Sequence, residues 1–231
     1  VDIFTVKYDS AGNVLWAKSA GGNLGEWGHD IVTDSSGNCY VTGAFNSASI
    51  SFDGIVLSNN GSCTYCSDMF MVKYDAAGNA VWATNAGGTN ADNGVAITAD
   101  AGGNSYVTGY FNSDSITFGN TTLVNDAFDG SSDIFITKYD NDGNVLWATS
   151  AGGDSIDIGQ GIAAENHPVD GLDRGFLVRT GEARRGGEAK DIRLERMQVS
   201  FNVAAILRSV DDPWPAIAFN DGADATMPRH W

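Results

Sequence analysis

The chain has 231 residues, and 29 acidic against 13 basic side chains give it a formal net charge of −16. Proteins bind a phosphate backbone through Lys and Arg, so we expect no nucleic-acid partner. No apolar stretch approaches the roughly 18 residues of a membrane-spanning helix, and we expect no membrane span. The first residues lack the basic and apolar regions of a secretory leader, so either a leader is absent or the chain is a fragment. A content of 29 glycines favours an all-β protein with many tight turns.

The strongest signal in the chain is an internal repeat. The motif Asp-x-Phe-x-x-Lys-Tyr-Asp occurs three times, with spacings of 66 and then 65 residues. Each copy continues through Gly-Asn-x-x-Trp to a Gly-Gly pair. Three motifs in a fixed order indicate structural repeats rather than chance. The first motif lies at residues 2–9, 68–75 and 133–140, the second at 12–16, 78–82 and 143–147, and the Gly-Gly pairs at 21–22, 87–88 and 152–153.

Each repeat contains four segments in which apolar and polar residues alternate, as they do in half-buried strands. A Gly-Asn turn joins the segments in pairs, with Gly or Asn in the left-handed conformation. A second hairpin motif, Gly-Asn-x-Tyr-Val-Thr-Gly, lies at residues 37–43 and 103–109. A long connection with an Ile-x-Phe segment follows it, at residues 50–52 and 116–118. Four antiparallel strands in about 65 residues predict one β-propeller blade per repeat.

Residues 1–165 resemble the SBBP-type β-propeller repeats of bacterial secreted and surface proteins. The resemblance rests on the motifs Asp-x-Phe-x-x-Lys-Tyr-Asp, Gly-Asn-x-x-Trp and Gly-Asn-x-Tyr-Val-Thr-Gly. The resemblance implies a propeller of the kind found in extracellular or cell-envelope proteins. It implies poorly defined ligands, and it offers no family-wide catalytic residues.

The repeats provide half a blade, two full blades and the start of another, which is an incomplete ring in each chain. A closed propeller needs at least about four blades. Exposed strand edges invite pairing with another copy, so head-to-tail self-association as a homodimer or trimer would close a ring. The alternative is that the sequence is a truncated piece of a longer propeller.

Residues 166–231 differ in composition from the repeats, because every Arg of the chain lies there. Gly175 to Gly181 has the spacing of Gly37 to Gly43 and predicts one further strand. The rest of this tail is a cap, an unrelated fused segment or a foreign extension.

Cysteine and histidine give no catalytic signal. Cys63 and Cys66 have the C-x-x-C spacing, but the absence of a second pair argues against zinc and favours a small loop disulfide. Cys39 is expected to be a structural strand residue. No Gly-x-Ser-x-Gly elbow occurs, and we find no pattern of a catalytic triad.

Carboxylates give the metal hypothesis. Glu26, Asp92 and Asp157 precede the inner strand of successive blades, each two residues before a glycine. In a closed propeller they would face one mouth of the central channel, where symmetric carboxylates could hold one Ca²⁺ ion. The alternative is that each carboxylate accepts a turn hydrogen bond and caps its own strand.

Four further residues are candidates for ligand contact. Trp27 replaces the Asn93 of the next repeat, His29 follows it on the same strand, and Asn46 and Asn112 lie in the variable connections. Polar loops of this kind suit a glycan or a protein. The sequence therefore predicts a binding or scaffold propeller outside the cytoplasm. The alternative function is a calcium-dependent propeller hydrolase or lactonase with its metal in the central channel.

Overall fold

A computed structural model describes residues 1–61, 63, 65–125, 130–164 and 176–183. The regular elements within these ranges are all β-strands, which confirms the predicted all-β class. In chain order they are β1 (Ile3–Tyr8), β2 (Val14–Ala20), β3 (Glu26–Thr33), β4 (Cys39–Phe45), β5 (Ser49–Phe52), β6 (Ile55–Ser58), β7 (Asp68–Tyr74), β8 (Ala80–Ala86), β9 (Asp92–Ala99), β10 (Ser105–Phe111), β11 (Ser115–Phe118), β12 (Thr121–Val124), β13 (Asp133–Tyr139), β14 (Val145–Ala151), β15 (Ile156–Ala164) and β16 (Phe176–Ala183).

Two four-stranded antiparallel sheets form the middle of the structure. The first blade has the spatial order β3-β4-β7-β8 and the second has β9-β10-β13-β14. Strands β1 and β2 pair as a half-blade before them, and β15 pairs with β16 after them. The first strands of successive blades, β3, β9 and β15, contact one another in a row, as strands near a propeller axis do. The described strands form a row of blades without a closed ring.

The hairpin turns have the predicted chemistry. Glycines 12, 37, 78, 103 and 143 have φ between 80° and 90°, a region that glycine enters without a steric penalty. The aspartate that opens each turn accepts hydrogen bonds from the chain two and four residues later. Asp140, for example, binds the backbone N–H of Asp142 at 3.0 Å and of Asn144 at 2.8 Å. The Asp140 carboxylate is therefore used in closing its own turn.

The apolar cores lie between successive blades. One cluster joins the first blade to the second and includes Tyr40, Met71, Val107 and Phe135. The other joins the half-blade to the first blade and includes Ile3, Val41 and Phe70. The Ile-x-Phe segments form the small hairpins β5–β6 and β11–β12, whose Ile50, Phe52, Ile116 and Phe118 are buried in these clusters.

A Lys–Trp pair on each of the first two outer hairpins joins that hairpin to the next blade. Lys73 Nζ and Trp82 Nε1 both donate to the carbonyl oxygen of Asn141, at 3.0 and 3.1 Å. Trp16 Nε1 donates to the carbonyl oxygen of Ala76 at 3.2 Å in the same way. Trp16 and Trp82 are thus structural groups at the blade boundaries.

The strand predicted near residues 175–181 lies at β16, with a pairing one residue away from the expected alignment. Asp157 pairs with Glu182 as Glu26 pairs with Phe45, so Thr180 takes the register position of Gly43. The rest of the predicted tail, residues 166–175 and 184–231, lies outside the described residues. Within the described ranges no helix is long and apolar enough to cross a membrane.

Candidate functional site

The three carboxylates of the metal hypothesis lie at equivalent places on the blade boundaries. Glu26 and Asp92 are the first residues of β3 and β9, and Asp157 is the second residue of β15. The backbone N–H of each donates to a carbonyl at the start of the preceding outer hairpin. These hydrogen bonds run to Val1, Ser67 and Ser132, with lengths of 3.0, 2.7 and 2.8 Å. The repeat therefore places one buried acid at every junction between blades.

The Asp92 carboxylate accepts hydrogen bonds from nearby residues of the chain. Its Oδ2 accepts hydrogen bonds from Ser113 Oγ at 2.7 Å and from the backbone N–H of Gly88 at 2.8 Å, and its Oδ1 accepts one from the backbone N–H of Ser113 at 3.1 Å. Glu26 accepts a hydrogen bond from Ser47 Oγ in the same arrangement. The alternative reading of these acids, as hydrogen-bond acceptors within their own blade, describes the contacts of Glu26 and Asp92.

In the part of the chain that the structure describes, no three His, Cys, Asp or Glu side chains come close enough together to hold a metal ion. Glu26, Asp92 and Asp157 are therefore not gathered around one point in this arrangement. The predicted calcium site belongs to the mouth of a closed ring, so it stays a prediction about an assembly of more blades.

Burial changes the acidity of Asp92. Its side chain is inaccessible to solvent, and this desolvation raises its pKa from 3.8 to about 6, against the lowering effect of the Ser113 and Gly88 hydrogen bonds. The charge of Asp68 adds to the increase.

We predict a pH-dependent contribution of Asp92 to stability. Between about pH 4 and pH 6 the folded protein keeps a proton on Asp92 that the unfolded chain has lost, so stability falls as the pH rises. This difference in the pKa of Asp92 between the folded and unfolded chain corresponds to a fall in the free energy of unfolding of about 3 kcal/mol. Urea unfolding of the parent and of Asp92→Asn at pH 4, 5, 6 and 7 measures it. The free energy of unfolding of the parent should fall relative to the variant over this range, and a constant difference would contradict the assignment.

Two of the predicted ligand residues are exposed on the innermost strand of the first blade. Trp27 has 43% of its surface exposed, and its ring lies close over Gly25, where an added Cβ would be 2.7 Å from Cη2. His29 is also exposed, and its Nδ1 is 2.7 Å from the carbonyl oxygen of Gly94 on β9. The counterpart of Trp27 in the second blade, Asn93, is 8% exposed. Trp27 and His29 are thus both exposed on strand β3.

The other two predicted ligand residues are not on open loops. Asn46 is buried and Asn112 is half-buried. The backbone N–H of each donates across to the segment before the inner strand, to Gly25 and Ala91 at 3.0 Å. Their Oδ1 atoms are buried without a hydrogen-bond partner among the described residues. These two side chains are parts of the blade ends rather than of an accessible polar loop.

Sequence analysis missed a second set of buried acids, at the start of the outer hairpins. Asp68 is fully buried and accepts hydrogen bonds from the backbone N–H of Asn60 and the Nδ2 of Asn85, both at 3.0 Å. Burial raises its pKa. An added Cβ at Gly87 would lie 2.1 Å from Asp68 Oδ1, so glycine leaves room for the acid. The repeated spacing between this aspartate and the Gly-Gly pair is the signal that would have found it.

The cysteines have the predicted states. Cys63 and Cys66 form a disulfide, which confirms the small loop bridge. Cys39 is a buried free thiol, and burial raises its pKa to about 11. Because the thiolate is the nucleophile, a thiol of this kind is unreactive near neutral pH.

A small polar pocket of about 180 Å³ lies where three hairpin turns meet. Asp34 and Asn141 line it, together with turn residues 101–103. The Asp34 carboxylate accepts a hydrogen bond from Asn38 Nδ2 at 2.7 Å. Asn141 Oδ1 accepts one from Lys73 Nζ at 2.5 Å. Asp34 is therefore used within its own turn, and Asn141 joins the second blade to the first.

Comparison with known proteins agrees with the fold. No family model matches the chain. An uncharacterized WD repeat-containing protein of Acanthamoeba polyphaga mimivirus is 28% identical over 187 residues, which cover 74% of this chain. The regulatory protein FlaEY of Caulobacter vibrioides is 31% identical over 143 residues, which cover 62% of the chain. The chain spans 13% and 14% of the lengths of these two relatives. The similarity to a WD repeat-containing protein and the arrangement of the sheets both indicate that the chain is a repeat protein of the β-propeller type.

Proposed function

We propose that this chain is part of a β-propeller interaction scaffold that binds a protein or a glycan outside the cytoplasm. The repeated blades and the similarity to a WD repeat-containing protein support the scaffold role. The SBBP-type motifs support the location, since repeats of that type occur in secreted and surface proteins. A propeller offers many loops on a rigid frame, and binding residues are concentrated on such loops.

The exposed ring of Trp27 carries the proposal for a ligand surface. An indole ring presents a large apolar area with one polar edge, which suits it to the face of a sugar ring or to a protein hot spot. His29 lies two residues along the same strand and supplies a polar neighbour. Other blades carry Asn93 and Ile158 at the Trp27 position, so the aromatic ring is specific to the first blade.

We predict that Trp27→Ala weakens ligand binding by at least about tenfold, the usual loss at an aromatic hot spot. The measurement is a glycan array followed by calorimetry with the best oligosaccharide. Tyr65→Ala is the matched control, because Tyr65 is an aromatic residue with 81% of its surface exposed outside the inner strands. Equal affinities for the parent and Trp27→Ala would overturn the assignment of this surface, and an array without any binding would favour a protein ligand.

Two further parts of the proposal concern assembly. Head-to-tail self-association as a dimer or trimer would close a ring, and one Ca²⁺ at the mouth of that ring would be held by the acids at Glu26, Asp92 and Asp157. The unclosed row of blades is the observation behind self-association, and the repeated acid at each blade boundary is the observation behind the Ca²⁺ site.

A further inference from the structure

The boundary between the two full blades holds a buried lysine against a side-chain amide. Lys73 of β7 has only 4% of its surface exposed. Its Nζ donates hydrogen bonds to the backbone carbonyl oxygen of Asn141 at 3.0 Å and to Asn141 Oδ1 at 2.5 Å. Among the described residues, no carboxylate oxygen lies within 4.0 Å of this Nζ. The first blade therefore presents an amine nitrogen to an amide in the β13–β14 turn of the second blade.

The amide is held close to the amine by the residues packed around it. Tyr40 Oη lies 3.5 Å from Asn141 Oδ1, and the Tyr40 ring centroid lies 5.2 Å from Lys73 Nζ. An added Cβ at Gly103 would lie 2.9 Å from Asn141 Oδ1, so glycine leaves room for the amide. Trp82 Nε1 donates to the same backbone carbonyl as Lys73, at 3.1 Å. Because Cγ is one covalent bond from Oδ1, the Lys73 nitrogen is held beside the carbon atom that a nucleophile attacks.

The boundary between the half-blade and the first blade lacks this amide. There Lys7 Nζ donates to the carbonyl oxygens of Gly37 and Ala76, at 3.0 and 3.4 Å. Ala76 follows the turn aspartate as Asn141 does in the next repeat. An outer hairpin is therefore joined to the next blade with alanine at this position, so packing alone does not require an amide there. The Asn141 side chain gives its boundary a reactive partner for the lysine that the first boundary lacks.

A carboxylate lies in the same pocket as the amide. Asp34 and Asn141 both line the cavity of about 180 Å³ between the hairpin turns. Asp34 Oδ2 is 3.2 Å from Tyr40 Oη. The exposed residues Ser35 and Ser36 also line this cavity, which connects it with the solvent. The site thus contains a base, a hydroxyl donor beside Oδ1 and an exit for a small leaving group.

We propose that Lys73 and Asn141 condense into an intramolecular amide bond, an isopeptide cross-link between the two full blades, with loss of ammonia. The Lys73 ammonium first releases a proton to solvent. The neutral Nζ attacks Cγ of Asn141, and the electron pair of the carbonyl bond moves to Oδ1, where the Tyr40 hydroxyl stabilises the negative charge. Asp34 accepts a proton from Nζ and donates it to Nδ2, so that the Cγ–Nδ2 bond breaks as the carbonyl re-forms. One C–N bond forms and one breaks, and no atom is oxidised or reduced.

The contact between amine and amide favours this reaction, and its product stabilises the fold. Groups held in a reactive geometry behave as though one were present at a very high concentration, which offsets the low reactivity of an amide. The two residues are 68 positions apart in the chain, so a covalent bond between them restricts the unfolded state. The cross-link is separate from the ligand role of Trp27, and either can fail alone.

The test uses the full chain, analysed on purification and during incubation at pH 8 by intact mass spectrometry and trypsin digestion. We expect the parent to lose the mass of one ammonia molecule. We expect one tryptic product in which residues 19–138 are joined to residues 139–174, because trypsin cannot cleave after a modified Lys73. Lys73→Arg and Asn141→Ala should both keep the full mass. Lys7→Arg is the matched control, because Lys7 faces Ala76 at the other boundary, and this variant should cross-link as the parent does.

A second pair of variants and a melting experiment test the chemistry. Asp34→Asn should slow the cross-linking by at least about a hundredfold, the usual contribution of a general base. Asp100→Asn is its control, because Asp100 opens the corresponding turn of the second blade and accepts the same turn hydrogen bonds. It should cross-link at the rate of the parent. The cross-linked parent should melt at least about 5 °C above Lys73→Arg.

Several results would overturn the proposal. Ring closure at an Asn-Gly sequence also releases ammonia, and the chain has such sequences at residues 60–61 and 93–94. That loss would persist in Lys73→Arg, so a loss of ammonia that this variant shares with the parent would count against the cross-link. A parent that keeps its full mass, or a digest without the joined product, would overturn it directly. An unchanged rate in Asp34→Asn would contradict the proton transfer, and equal melting temperatures would contradict the stabilising role.

Discussion

Replacing Phe135 with alanine should lower the free energy of unfolding by about 4 kcal/mol, the cost of removing a large aromatic side chain from a packed core. Phe135 is completely buried in the cluster between the two full blades, beside Val107 and the ring of Phe118. The chain around it is held by strands on both sides and has little freedom to fill the cavity. Urea unfolding followed by circular dichroism measures the loss as a lower transition midpoint.

The same substitution at Phe4 is the control, because Phe4 occupies the same motif position in the half-blade. Its ring is 78% exposed, and exposed substitutions usually change stability by about 0.5 kcal/mol or less. A loss at Phe4 comparable to that at Phe135 would mean that β1–β2 is covered in solution. A small loss at Phe135 would mean that the second blade is not packed as described.

Gly109→Val should prevent stable folding of the second blade, with a loss of at least about 4 kcal/mol. An added Cβ at Gly109 would lie 1.9 Å from the carbonyl oxygen of Asn93, a distance that requires strands β9 and β10 to separate. The backbone atoms cannot move aside as a flexible side chain would, so the ladder between β9 and β10 must break. Thermal unfolding and the yield of soluble protein measure the effect.

Gly153→Ala provides the matched control for this glycine. An added Cβ at Gly153 has no neighbour within 4 Å, and its backbone is outside the left-handed region. We expect its melting temperature to equal that of the parent within about 2 °C. Equal stability of Gly109→Val and Gly153→Ala would contradict the close approach of the inner strands.

Much of the fold is predictable from the sequence, because each blade repeats its local signals. Alternating apolar residues mark the strands, and Asp-x-x-Gly-Asn marks the turns, whose glycines have the expected positive φ. The bridge between Cys63 and Cys66 also follows from local spacing. Signals of this kind act over a few residues, so they do not depend on contacts with distant parts of the chain.

The candidate site is less predictable, because it depends on how blades meet. Asn46 reads as part of an open connection, yet it is buried at the end of its blade, where Asn59 binds the carbonyl oxygen of Phe45 and draws the chain inwards. Sequence spacing predicts an acid at each blade boundary, but it does not predict how far apart the boundaries lie. The exposure of Phe4 likewise depends on which strands lie beside β1, and no local pattern distinguishes it from the buried Phe70.

Amide hydrogen exchange of the free chain tests the central claim most directly, namely that two complete blades stand beside an open half-blade. The account predicts the slowest exchange in β4, β7, β10 and β13, the strands paired on both sides, and exchange faster by at least about tenfold in β1. Uniform protection of β1 and β7 would contradict the open half-blade. Rapid exchange throughout β7 and β13 would contradict the blades themselves.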